Sequence, residues 1–254
     1  ETDVNPVNFF LKQIDTINEI SEKSKISFKS KNWSNEAIIY NLFVRYCCGT
    51  ILNAIAMLPY IHSLGINTIY LLPITSIGKY NKKGELGSPY SIRNPYEIDE
   101  NLADSMIDMT ASEQFQAFVE AAHSIGMKVV LEFVFRTASL DSDWAILHPE
   151  WFYWIKEENE KSFLPPAFTD KELIEIKEKI LKKDFTKLIA PSKEYIEQFV
   201  KCPKKVVKEA DKIIGYDERG NRCIIPSAFA DWPPDDKQPL WSDVTYLKLY
   251  ENPK

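Results

Sequence analysis

The apolar and polar positions of this chain change rhythm several times, and each change marks an element. Phe9, Phe10, Ile14, Ile17 and Ile20 recur at close to helical spacing, which predicts an N-terminal helix over residues 8–28. A polar stretch, SKNWSNE, separates it from AIIYNLFVRY, a short apolar and aromatic run of the kind that forms a strand buried on both faces. GTILNAIAMLPYIHSLG then predicts a helix closed by Gly65. INTIYLLPI predicts a second buried strand. TASEQFQAFVEAAHSIG predicts a further helix, with Thr110 and Glu113 at capping-box spacing and Gly126 at its end. MKVVLEFVF predicts a third strand.

Strands separated by helices in this way pair in parallel, because a hairpin cannot join them. Parallel sheets need helices on their faces, so the predicted class is α/β. After Arg136 the alternation stops. The aromatics of SDWAILHPEWFYWIKEE predict a packed subdomain core, and Lys-rich stretches between roughly 170 and 213 read as helical. IIGYDERGNRCII reads as a hairpin, and FADWPPDDKQPLWSDVTYLKLY is rich in Pro, Asp and Trp. A complete eight-stranded (β/α)8 barrel takes about 250 residues. This chain has 254, yet shows three strands of that kind. The count therefore predicts the first three βα units of a TIM-barrel-type domain plus an α+β insertion after the third strand. The implied divisions are 1–37 (N-terminal helical segment), 38–136 (partial barrel), 137–245 (insertion) and 246–254 (C-terminal end).

Composition narrows the classes. With 44% hydrophobic and 27% charged residues the chain is of globular type. Its formal net charge of -6 and the lack of a basic patch with interleaved aromatics argue against nucleic acid as a partner. No apolar run approaches a membrane span, and ETDVNPVNFF lacks the basic and apolar regions of a signal peptide, so a cytoplasmic setting is expected. The adjacent Cys47 and Cys48 have no metal-ligand spacing and, like Cys202 and Cys223, no disulfide framework; the pair reads as buried apolar residues. His62 and His123 sit near the closing glycines of their helices, a structural position, and His148 stands apart. There is no Gly-rich phosphate loop or Ser-His-Asp pattern, and neither a cofactor nor a metal is expected.

Ligands of parallel α/β folds bind at the carboxyl ends of the strands. The loop after Ile74 offers Tyr90, Arg93, Asn94 and Asp99; the segment after the third strand offers Glu132, Arg136, Thr137, Asp141 and Asp143. Aromatic rings stack on sugar faces, while carboxylates and guanidinium groups bond to hydroxyls, so this set suits a carbohydrate. The residues alone leave a second reading open, in which Tyr90 packs its loop on the core and Glu132 pairs with Arg136 or Arg45.

The stretch from IIYNLFVRY through LGINTIYLLPI, GSPYSIRNPYEID and AHSIGMKVVLEFVFRTAS resembles the start of the α-amylase family of glycoside hydrolases and transferases. SPYSIRNP, FRTASLDSD, HPEWFYWIK and KQPLWSDVTYLKLY most resemble its maltosyltransferase branch. The resemblance covers roughly residues 38–155 and implies the N-terminal part of a larger enzyme. It implies that Tyr90 stacks on a glucose ring, that Asn94, Arg136 and Thr137 bond to hydroxyls, and that Glu132 supports the site. Where the family usually has Asp, three residues, Asn and His, this chain has Glu132, Arg136 and Thr137. A guanidinium only donates hydrogen bonds, so no calcium is expected at Arg136. The family's retaining reaction uses a nucleophile and an acid about 5 to 5.5 Å apart. Their sequence contexts do not occur before Lys254, so no catalytic residue is assigned and the chain alone is expected to be inactive. The implied partner is an α-1,4-glucan or malto-oligosaccharide, and three parallel strands with open edges also predict self-association. Two rivals are a non-catalytic glucan-binding or interaction module and a fragment of an amylase-type hydrolase.

Overall fold

The structure, a computed structural model, describes residues 5–23, 32–163, 166–228 and 241–248. Its elements run helix α1 (Pro6–Lys23), strand β1 (Ile39–Leu42), the short helix α2 (Val44–Cys47), α3 (Ile51–Ser63), β2 (Thr68–Leu71), β3 (Thr75–Ile77) and β4 (Ile92–Ile98). There follow α4 (Ala111–Ser124), β5 (Lys128–Leu131), β6 (Thr137–Ser139), α5 (Trp144–Leu147), β7 (Trp154–Lys156), α6 (Asp170–Leu181) and α7 (Lys193–Ile196). The remaining strands are β8 (Phe199–Val200), β9 (Lys205–Glu209), β10 (Lys212–Tyr216), β11 (Arg222–Ile224) and β12 (Val244–Tyr246). The chain forms two compact units, one of residues 1–76 and 95–133, the other of 77–94 and 134–254.

The first unit is α/β. Strands β1, β2 and β5 form a parallel sheet in that order, with Leu42, Leu71 and Leu131 in register. Helix α3 begins where the Thr50 side chain accepts the Asn53 N–H, and it buries Ile51, Ala54, Ile55, Leu58 and Ile61 along one face. Gly65 follows at φ +80°, a backbone region open to glycine. The Thr110–Glu113 capping box forms in full, and α4 turns Ala111, Gln114, Phe118 and Ala122 inward. With Leu42, Ile69 and Leu71 these helices make one apolar core, onto which α1 adds Ile17.

Three expectations need correction here. The apolar run from Ile38 is a strand only to Leu42; Val44 to Cys47 is a helical turn. Nor is β1 buried on both faces, since Ile39 is 56% exposed. The third strand stops at Leu131, leaving Glu132 to Arg136 beyond it. Helix α1 runs to Lys23, and the last residues of its predicted span lie outside the described residues.

The second unit carries a five-stranded antiparallel sheet in the order β8-β7-β11-β10-β9, and a ladder of β6 with β12. The predicted hairpin joins β10 to β11: the Asp217 carboxylate accepts the N–H groups of Arg219 and Asn221, and Gly220 takes φ +79°. Phe152 and Trp154, from the aromatic run, are fully buried with Ile213, Cys223 and Ile225. The Lys-rich stretch is helical only in part. Phe199–Val200 and Lys205–Glu209 are strands, because their Val and Phe side chains fill the sheet beside Tyr153 and Phe163. Most of the Pro- and Trp-rich segment, residues 229–240, lies outside the described residues.

Candidate functional site

The loop carrying Tyr90 belongs to the second unit, and side chains from the start and end of that unit fasten it there. Ser88 opens a turn, its hydroxyl accepting the Tyr90 N–H at 3.2 Å and its carbonyl the Ser91 N–H at 3.1 Å. Thr137 Oγ1 donates to the Tyr90 carbonyl at 3.1 Å, and Ser91 Oγ donates to the Asp243 carbonyl at 2.6 Å. The Arg93 carbonyl accepts both the Asp143 N–H, at 3.1 Å, and the Ser142 hydroxyl, at 3.0 Å. At the other end Asp141 Oδ2 accepts the Lys79 N–H at 3.0 Å. Gly78 is required by this packing: a Cβ there would fall 2.6 Å from Asp141 Oδ1 and closer still to the Ser139 side chain. Both of these residues are fully buried and cannot yield.

Tyr90 and Asn94 are each half-buried on this fastened loop. Thr137 is 8% exposed, and the proton of its hydroxyl is committed to Tyr90. Its observed contact is therefore with the loop that holds the aromatic ring. Arg136 is exposed, with its guanidinium carbon 5.1 Å from the centre of the Tyr246 ring. The β6–β12 register sets Thr137 opposite Tyr246, and the Leu247 N–H donates to the Arg136 carbonyl at 2.9 Å. Stacking on an aromatic face orients a guanidinium.

Glu132 belongs to the first unit. Its N–H donates to the Leu71 carbonyl at 3.0 Å. Burial first, then the neighbouring Glu132 carboxylate, raise the Tyr70 phenol above its usual value. With Thr75, Pro95, Tyr96, Phe115 and Phe133, Glu132 lines a mostly apolar cavity of about 120 Å³. Arg45 is committed elsewhere in this unit, in an ion pair with Asp99 at 2.9 Å whose side chains are 6% and 4% exposed. Asp99 also caps the next turn, accepting the Asn101 N–H.

Of the residues the sequence singles out, the structure places Tyr90, Asn94, Arg136 and Thr137 in one unit and Glu132 in the other. The sequence does not single out Tyr246 and Tyr70, which neighbour Arg136 and Glu132. Tyr246 reaches Arg136 only through the β6–β12 register, which no local pattern announces, and Tyr70 sits inside a strand that reads as uniformly apolar.

Residues 31–216 match the family described as glycogen debranching enzyme, glucanotransferase domain. An alpha-1,4-glucan:maltose-1-phosphate maltosyltransferase of Cereibacter sphaeroides is 36% identical over 116 residues, covering 42% of this chain and 19% of that protein. The corresponding protein of Mycolicibacterium smegmatis is 40% identical over 111 residues, covering 41% of this chain and 16% of its own. The chain spans under a fifth of the length of these relatives. Among solved structures, an alpha-amylase from Lactobacillus plantarum aligns with 46% of this chain and 27% of its own at 40% identity, with a TM-score of 0.41. Because the matched span takes in most of the chain, including both strand-end segments and the Tyr90 loop, this protein belongs to the α-amylase family, in the group of the glycogen debranching enzyme's glucanotransferase domain.

Proposed function

We propose that this chain is the substrate-positioning part of an enzyme that transfers maltosyl or longer units between α-1,4-glucan chains by a retaining double displacement. In this reading β1, β2 and β5 with α3 and α4 are the first three βα units of a (β/α)8 barrel, and residues 137–245 are an insertion after the third strand. Tyr90 stacks on a glucose ring, Arg136 and Asn94 bond to its hydroxyls, Thr137 holds the Tyr90 loop, and Glu132 supports the strand end. The nucleophile and the acid come from outside these 254 residues, and the chain alone turns nothing over. The observation that carries the reading is the fastening of the Tyr90 loop beside Arg136 in a chain of this family.

Binding of maltoheptaose to the 254-residue chain tests it by calorimetry. Tyr90→Ala is expected to weaken binding about tenfold, the equivalent of 1.4 kcal/mol for one lost ring contact. Unchanged affinity in a folded variant removes Tyr90 from the site. Turnover of maltoheptaose by the chain alone would overturn the assignment of chemistry to residues elsewhere. A hydrolase fragment differs only in what accepts the glycosyl unit, which is read from products of the intact enzyme. Glucan binding without turnover in the full-length protein would favour the non-catalytic module.

A further inference from the structure

Outside the candidate site, two groups of polar side chains depart from what the sequence pattern leads one to expect. Cys47 and Cys48, read there as a buried apolar pair, are an exposed and a half-buried free thiol. The larger group is a row of charged contacts across the antiparallel sheet of the second unit, and it ends on the loop that carries Tyr90. On β11 the Arg222 guanidinium donates to both oxygens of Glu157, from Nε and from Nη2, and to both oxygens of Glu209, at 3.0 and 3.1 Å. Glu157 opens the turn after β7, and its Oε1 lies 3.8 Å from Lys212 Nζ at the start of β10. Lys212 Nζ donates to Glu160 Oε2 at 2.8 Å. Tyr80 completes the row: its hydroxyl donates to Glu160 Oε1 at 3.3 Å, and Lys212 Nζ stands 5.9 Å from the centre of its ring.

Most surface ion pairs are worth little, because both partners move freely in water. Lys204 and Glu218 are such a pair, with side chains 68% and 77% exposed. Lys212 differs: its side chain is 23% exposed, and two carboxylates and an aromatic face surround it. The Tyr80 hydroxyl bond is long, so the ammonium beside the ring and the packing of that ring on the apolar core of Phe152 and Trp154 carry the anchor. Tyr80 also stands where an anchor matters. The loop is drawn closed at its neck, where the Gly78 N–H donates to the Ser91 carbonyl at 2.8 Å. Residues 81–86, beyond Tyr80, are exposed, and the chain folds back through them, with the Gly87 N–H donating to the Lys83 carbonyl at 3.2 Å. It then delivers Ser88 to the turn that presents Tyr90. Thr137, Ser142 and Asp143 hold the later part of this loop, whereas Tyr80 ties its earlier part to the antiparallel sheet.

We propose that Lys212 and Glu160 are positioning residues for the candidate sugar site. They clamp Tyr80 on the antiparallel sheet and, through it, set the angle at which the loop presents the Tyr90 ring to a glucose unit. They act through the loop and not on the sugar. The assignment rests on the glucan reading.

Two measurements on the 254-residue chain test it. Without sugar, hydrogen exchange over residues 77–91 is expected to quicken about threefold to tenfold in Lys212→Met and in Glu160→Gln, the scale of one lost cation–π or charged contact. Lys212→Arg should restore the wild-type rate, because a guanidinium keeps both the charge and the contact with the ring. Tyr216→Phe removes a hydroxyl from the Arg222 end of the row and should leave the loop unchanged. Unchanged exchange in both Lys212→Met and Glu160→Gln overturns the clamp. With maltoheptaose, Lys212→Met should weaken binding about threefold when Tyr90 is present and leave it unaltered in Tyr90→Ala, a coupling that a general loss of stability does not produce. Equal losses with and without Tyr90 overturn the positioning role. No binding of maltoheptaose by the wild-type chain overturns the glucan reading and the sugar role with it, while the exchange rates still decide whether the clamp holds the loop.

Discussion

Asp243 shows how one side chain ties the candidate site to pH. It is 2% exposed, its carbonyl receives the Ser91 hydroxyl, and its Oδ2 has no hydrogen-bond partner among the described residues. Burial raises its carboxyl above the usual range, against a smaller pull downward from its own backbone and Lys83. A group raised on folding lends full stability below its unfolded value of about 3.9 and loses it as pH climbs through the folded value. Asp243→Asn should therefore melt at or below the wild type near pH 4 and above it at pH 7. A melting difference that does not move with pH would show that the carboxylate meets compensating charge. Little of this was legible beforehand. Tyr90 and Arg136 could be singled out because aromatic and guanidinium groups at strand ends have a chemistry of their own. Asp243 could not, because its burial follows from a neighbour 152 residues away in the chain.

At the scale of elements, local signals and tertiary ones part company. The two long helices of the first unit, α3 and α4, were readable because cap, apolar spacing and closing glycine all agree within each segment. The short helix α2 was not. Its residues VRYC have the composition of a strand, and what sets them as a helical turn is the buried pair between Arg45 and Asp99. Asp99→Ala should accordingly cost about 3 to 5 kcal/mol, since it leaves a guanidinium buried without its counter-charge. Arg45→Met combined with Asp99→Ala should recover most of that loss. Urea midpoints of the three variants decide the matter, and a cost below about 1 kcal/mol for Asp99→Ala would mean that water replaces the carboxylate. Strand β9 escaped notice for a related reason: its Lys and Glu residues are exposed and mask Val206 and Val207, which are half-buried in the sheet.

On the scale of the whole molecule, the parallel sheet of the first unit leaves β1 and β5 with one neighbour each among the described residues. Ile39, on β1, is largely exposed. Unpaired edges of this kind recruit strands from other chains. The 254-residue protein is expected to associate with itself at rising concentration in analytical ultracentrifugation, and Ile39→Lys should shift it toward monomer. A monomer at all concentrations would show that the edges are protected. The barrel-like first half was legible because βα units repeat, whereas the antiparallel second half follows no repeat. Its division from the first half was hidden altogether, because residues 77–94 fold with a part of the chain that comes much later.

That interleaving bears on how the protein is made. Residues 95–133 leave the ribosome before the partners of the Tyr90 loop exist, so the first unit can close while the segment between its two halves is still unoccupied. Ser91 waits for Asp243, 152 residues behind it, or roughly 8 to 30 s at the usual pace of synthesis. For that interval the Tyr90 loop is held by Thr137, Ser142 and Asp143 but lacks its Asp243 contact, so the fastening of the candidate sugar site is completed late in synthesis.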